Sequence, residues 1–152
     1  MMKKTWIVMA LLAGILVILQ FIPSAIPENS AVNSGDIIMN GNAGEVSELL
    51  KKACYDCHSN QVEFPWYAKV APASWLLARD IKNGKEHLNF SEWEAYSKRN
   101  KIGRLETIQE EVTSGAMPLK IYTLMHKEAR LNADQTEAIK AWTDELANRI
   151  ME

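Results

Sequence analysis

Apolar residues run almost unbroken from Trp6 to Leu19, continue through Phe21 and Ile22, and stop at Pro23. Beyond that run, apolar positions recur at steps of three and four: Val46, Leu49, Leu50 and Ala53; Trp75, Ala78 and Ile81; Ile102, Leu105, Ile108 and Val112; Ile139, Trp142, Leu146 and Ile150. Each set falls on one face of a helix. No stretch alternates with strand period long enough to compete, so the pattern predicts an all-α domain, and no internal repeat divides it.

Start and stop signals bound these helices. Asn42 with Glu45 predicts a capping box, and Lys51 and Lys52 suit the C-terminal end of the helix that follows. Pro72 fits the first position of a second helix and Gly84 its stop, with Lys82, Asn83, Lys85 and Glu86 in a solvated turn. Ser91 with Glu94 predicts another capping box, opening a segment that reaches about Ser114 and breaks near 97–101 or Gly103. Residues 122–130 read as a short helix or turn, and Asn132 with Gln135 caps the last helix.

The N-terminal run follows Lys3 and Lys4, the order of a basic region and then a hydrophobic segment. Its length lies between a signal-peptide core and a full span of about 20 residues. No small-x-small cleavage site follows, which favours an uncleaved anchor over a removed signal peptide. No cysteine follows either, which excludes a lipoprotein anchor. The chain of 152 residues thus divides into 1–24, a signal anchor or signal peptide; 25–41, an Asn-, Ser- and Gly-rich linker; and 42–152, a helical domain. Ile37 and Ile38 form the one short apolar piece of the linker that can lie on the domain.

The chemistry is concentrated in Cys54-Tyr55-Asp56-Cys57-His58, which uses both cysteines of the chain. C-x-x-C-H is the attachment pattern of c-type haem. Two thiols about one helical turn apart reach two vinyl groups of one porphyrin, and the next residue, a histidine, reaches the iron from the same side. Three other readings stand beside it. A thioredoxin-like pair wants a βαβ context, a zinc site wants a second ligand pair, and an exported protein can carry a plain disulfide.

A second ligand for the iron is sought among methionines and histidines. Gly115-Ala116-Met117-Pro118 places Met117 on an extended loop, held out of helix by the proline. His126, one of three histidines, is the rival. A bis-histidine site would lower the potential relative to His/Met. The aromatic stretch around Phe64, Trp66 and Tyr67, together with Trp75, is expected to wall the porphyrin. Tyr67, Trp75, Trp93, Lys85 and Arg104 form the pool for its propionates.

Charge narrows the partners. Removing Lys3 and Lys4 from the 17 basic residues leaves 15 against 19 acidic ones, a net charge of −4. This disfavours nucleic acid and an anionic membrane surface as partners of the domain, and suits a basic patch on a redox partner.

Several separated segments resemble, in order, the bacterial haem-binding domain family, whose members are cytochrome-c-like and exported or membrane-anchored. They are Cys54-Tyr55-Asp56-Cys57-His58-Ser59-Asn60, Pro65-Trp66-Tyr67, Ala71-Pro72-x-Ser74-Trp75, Leu88-Asn89-Phe90-Ser91-x-Trp93, Met117-Pro118-Leu119 and His126-x-x-Ala129-Arg130-Leu131. The resemblance covers roughly residues 36–150. It implies one covalent haem c per chain, with His58 as proximal and Met117 as distal ligand. Lys85 stands where the family pattern leads one to expect arginine, a point charge in place of a fork.

The expectation is a monohaem c-type cytochrome that passes single electrons on the periplasmic side of the inner membrane, to unidentified redox partner proteins. It is a carrier and not an enzyme. A haem-based gas or redox sensor with a displaceable distal ligand is the alternative. A peroxidase-like activity would need acid–base groups on an open distal face, for which His126 and Arg130 are the available players.

Overall fold

The computed structural model describes residues 2–152, with side chains from Lys4 onward. Lys3, one of the two basic residues before the apolar run, lies outside the described side chains. The described residues are all-helical and contain no strand.

The N-terminal run forms α1 (Met2–Leu19), 18 residues long. Its side chains from Lys4 to Ile18 are exposed, so the domain does not cover it. No helix among the described residues is long and apolar enough to cross a membrane. The expected transmembrane segment is therefore not supported: α1 alone measures about 27 Å at 1.5 Å per residue.

The stretch 25–41, expected as a linker, is stitched to the domain. Asn29 uses both ends of its amide on Val62, donating to its carbonyl and accepting from its N–H, each at 2.9 Å. Gln20 does the same on Ala71, at 3.1 and 3.0 Å. Further on, Asp36 is buried and Ile37 is fully buried. The Asp36 carboxylate accepts from the Tyr55 hydroxyl at 2.8 Å, the Ser91 hydroxyl at 3.1 Å and the Ile38 N–H at 2.9 Å. A buried carboxylate is tolerable only with such partners, each worth about 1.5–3 kcal/mol. The polar composition of 28–42 hid this role.

The helices of the domain follow as α2 (Ser47–Ala53), α3 (Tyr55–His58), α4 (Ala73–His87), α5 (Lys98–Thr113), α6 (Lys120–Met125) and α7 (Ala133–Met151). The Asn132–Gln135 capping box is present at α7. The one expected at Asn42 is not, because Gly44 takes a positive φ of 51° and a tight turn, Gly44–Val46, precedes α2. Asn42 instead donates to Glu94 at 3.2 Å. Ser91 is not a cap either: Asn89 accepts from the Ser91 N–H at 3.1 Å and opens a turn, Phe90–Ala95. The break then falls at Ser97, which caps α5, and Gly103 lies inside that helix.

Two cores result. The larger gathers Leu50, Tyr55, Phe90, Trp93, Leu105, Ile139 and Leu146, with α5 laid along α7. The smaller gathers Val62, Ala68, Leu77 and Ile81. Each fully buried side chain of this size contributes about 1.5–3 kcal/mol. Cys54 packs against the larger core and Cys57 against the smaller. The C-x-x-C-H segment is therefore the seam between them.

Candidate haem-binding site

A cavity of about 770 Å³ opens along that seam. Its volume lies within the roughly 300–1,000 Å³ of ligand and cofactor sites. Part of its lining comes from Cys54, α3, α4 and the segment after α4: Cys54, Cys57, His58, Gly84, Leu88 and Phe90. A second part comes from α5, α6 and the loop between: Arg99, Arg104, Ile108, Val112, Met117, Leu119 and Tyr122. The motif and Met117 thus line one cavity.

α3 sits close against α4 because Gly84 has no side chain. A β-carbon there would lie 2.4 Å from the Cys57 carbonyl oxygen, well inside contact distance. The residue expected to stop the helix in fact lies within it, since α4 runs on to His87. Sequence alone does not separate a stop glycine from a contact glycine.

His58 Nδ1 lies 3.1 Å from the Leu88 carbonyl oxygen. A carbonyl only accepts, so Nδ1 carries the proton and Nε2 keeps the lone pair that a metal takes. Burial lowers the His58 pKa, opposed by the carbonyls of Leu88 and Gly84. The ring is therefore held neutral and oriented, as a carbonyl accepting from the far ring nitrogen does for a metal-binding histidine. Phe90 meets its edge at 6.3 Å and stacks on Tyr55 at 5.4 Å.

Both cysteines are free thiols. Burial pushes each up to about 12, with Cys57 adding to the effect at Cys54, and Asp56 and Asp80 at Cys57. Such surroundings favour an uncharged sulfur, thiol or thioether, over the thiolates that a zinc site requires. Among the described residues no group of three or more His, Cys, Asp or Glu side chains is arranged to hold a bare metal ion.

The aromatic residues expected to wall a porphyrin lie elsewhere. Trp66 is 75% exposed. The Trp75 indole donates to the Ile22 carbonyl at 3.3 Å. The Tyr67 hydroxyl pairs with His126 Nε2 at 2.8 Å. None of the three lines the cavity, and neither does His126, whose Nδ1 faces Glu128 at 3.3 Å while Tyr122 stacks on its ring at 4.3 Å. Of the propionate pool, Arg104 alone lines the cavity. Its guanidinium covers the Tyr96 ring at 4.0 Å, and its buried Nε has no partner. The apolar wall is supplied instead by Leu88 and Phe90, which belong to one of the segments that carry the family resemblance, and by Ile108 and Val112, which helical spacing marks only as core.

These residues fit a haem: a cavity of the right size, an oriented neutral imidazole, two uncharged sulfurs, a methionine on the same lining and a cation with an unused donor. A family model described as a haem-binding domain matches residues 14–145. No curated protein and no solved structure matches the chain. With the match covering most of its length, the chain belongs to the haem-binding domain family.

Proposed function

We propose that the chain is a monohaem c-type cytochrome that carries single electrons on the outer side of a bacterial inner membrane. The observation that supports this best is that Cys54, Cys57, His58 and Met117 line one cavity. Cys54 and Cys57 would each add S–H across a vinyl group, forming one C–S and one C–H bond and consuming the S–H and π bonds. His58 would supply Nε2 from one face and Met117 its thioether from the other, and Arg104 would meet a propionate. When bound, the haem supplies a one-electron couple, which methionine ligation places at higher potential than a second histidine would.

With His58 and Met117 both holding the iron, small molecules would be kept from it, so the protein would act as a carrier and not an enzyme. Its partners are redox proteins. The N-terminal segment with Lys3 and Lys4 would keep its basic end inside and its domain outside. One observation favours a second reading, a haem-based sensor: Met117 is only partly buried, on the loop between α5 and α6.

The test is coexpression with haem-maturation machinery. Haem that stays on the chain through a denaturing gel, and a reduced form that resists carbon monoxide, are the expected results. Ready carbon monoxide binding would favour the sensor. Absence of covalent haem despite competent maturation would overturn the proposal.

A further inference from the structure

The exit from α1 is rigid where an anchored domain commonly hangs on a flexible tether. Gln20, the first residue past α1, is clamped at two points by the backbone of Ala71. The Trp75 indole holds the Ile22 carbonyl. Gln20 and Ile22 share one groove with Phe64 and Lys69 of the domain. In the groove Ile22 is 51% exposed and Phe64 41%. The chain neighbours of its lining residues, Phe21 at 83% and Val70 at 41%, are uncovered as well, as is Trp66, between Phe64 and Ala68, at 75%. A patch of large apolar side chains beside a lysine, continuous with a helix apolar on every side, is unlike a surface built for water.

We propose that the 64–70 face, locked to the end of α1, rests in the headgroup region of a phospholipid bilayer. The inference rests on the proposed insertion of α1 in the membrane. An 18-residue helix reaches about 27 Å, short of the roughly 30 Å hydrocarbon core. An apolar segment that is too short draws its flanks toward the bilayer. Here the flank is the domain itself, because the Gln20 and Ile22 contacts leave no slack. Trp66 then places an amphipathic indole at the depth where such rings collect, and Lys69 meets lipid phosphate. The haem cavity keeps a fixed attitude to the membrane plane.

The full-length chain is reconstituted in vesicles of phosphatidylcholine and phosphatidylglycerol, with p-benzoylphenylalanine placed singly by Phe21, Phe64, Trp66 or Met151 substitution. Irradiation followed by mass spectrometry reads phospholipid adducts. Adducts at 64 and 66, with none at the exposed Met151, are expected. Adding Gln20→Ala should abolish the adduct at 66 and spare that at 21. An adduct at 21 with none at 64 or 66 would overturn the docked face and leave the insertion of α1 standing. Failure of the chain to float with the vesicles would overturn both.

Discussion

Gly84 and Cys57 meet so closely that the hydrogen of one stands where any side chain would strike the carbonyl of the other. This contact sets the depth at which the C-x-x-C-H segment lies against α4. Alanine is the better helix former by about 1 kcal/mol, yet Gly84→Ala should destabilise the chain. The obstacle is backbone, which cannot swing aside, and overpacking of this kind costs about 1–3 kcal/mol. Thermal unfolding should move down by about 2–4 °C for each kcal/mol. Covalent haem yield should fall as well, measured as haem absorbance per chain.

Met117 and His126 make opposite predictions. Met117→Ala should abolish the weak near-infrared band of sulfur-ligated ferric haem and open the reduced iron to carbon monoxide. His126→Ala should leave both unchanged, since its ring is engaged by Tyr67 and Glu128 outside the cavity. Loss of the band in the histidine variant, with retention in the methionine variant, would reverse the assignment.

Arg104 should act through charge. Removing a cation beside the haem makes the oxidised iron easier to reach, so Arg104→Met should lower the midpoint potential. A shift of about 60 mV corresponds to a tenfold change for one electron. The aliphatic replacement retains contact with Tyr96, which the guanidinium covers at 4.0 Å. An unchanged potential in a properly loaded variant would remove Arg104 from the site.

The free thiols give a pH prediction for the chain without haem. Burial raises Cys54 and Cys57 from an ordinary 9.0 to about 12. Between those values the unfolded chain loses protons that the folded chain keeps, so unfolding is favoured as pH rises through that window. At pH 8 the folded chain should resist iodoacetamide by on the order of a thousandfold relative to the chain in urea, following the thiolate fraction. Equal rates in the two states would show that the motif is open to solvent.

The motif and the helical class were legible because both rest on local spacing: C-x-x-C-H is fixed by the reach of one turn, and the Asn132–Gln135 cap by three residues. What failed depended on distant partners. Asp36 looked like a linker residue until Tyr55 and Ser91 were seen to close on it. Trp66, Tyr67 and Trp75 were assigned to the cavity for their chemistry, but size and aromaticity say nothing of direction. Gly84 carried a local signal, a helix stop, that a close contact with Cys57 imitates. Arg104 is legible in the sequence only as one of five propionate candidates; its place on the cavity lining, with an unpaired Nε, singles it out of that pool.

The cavity has one wall made early in the chain and one made late. Cys54, Cys57 and His58 belong to the first, and the second begins at Arg99. A chain that has emerged only as far as α4 offers both sulfurs to its surroundings with the rest of the lining still unmade. Once α5 and α6 arrive, the same sulfurs face a finished cavity and are only partly exposed. On the proposed reading, haem would therefore be loaded most easily before α5 and α6 complete the cavity, and the length of chain between the two walls would set how long that interval lasts.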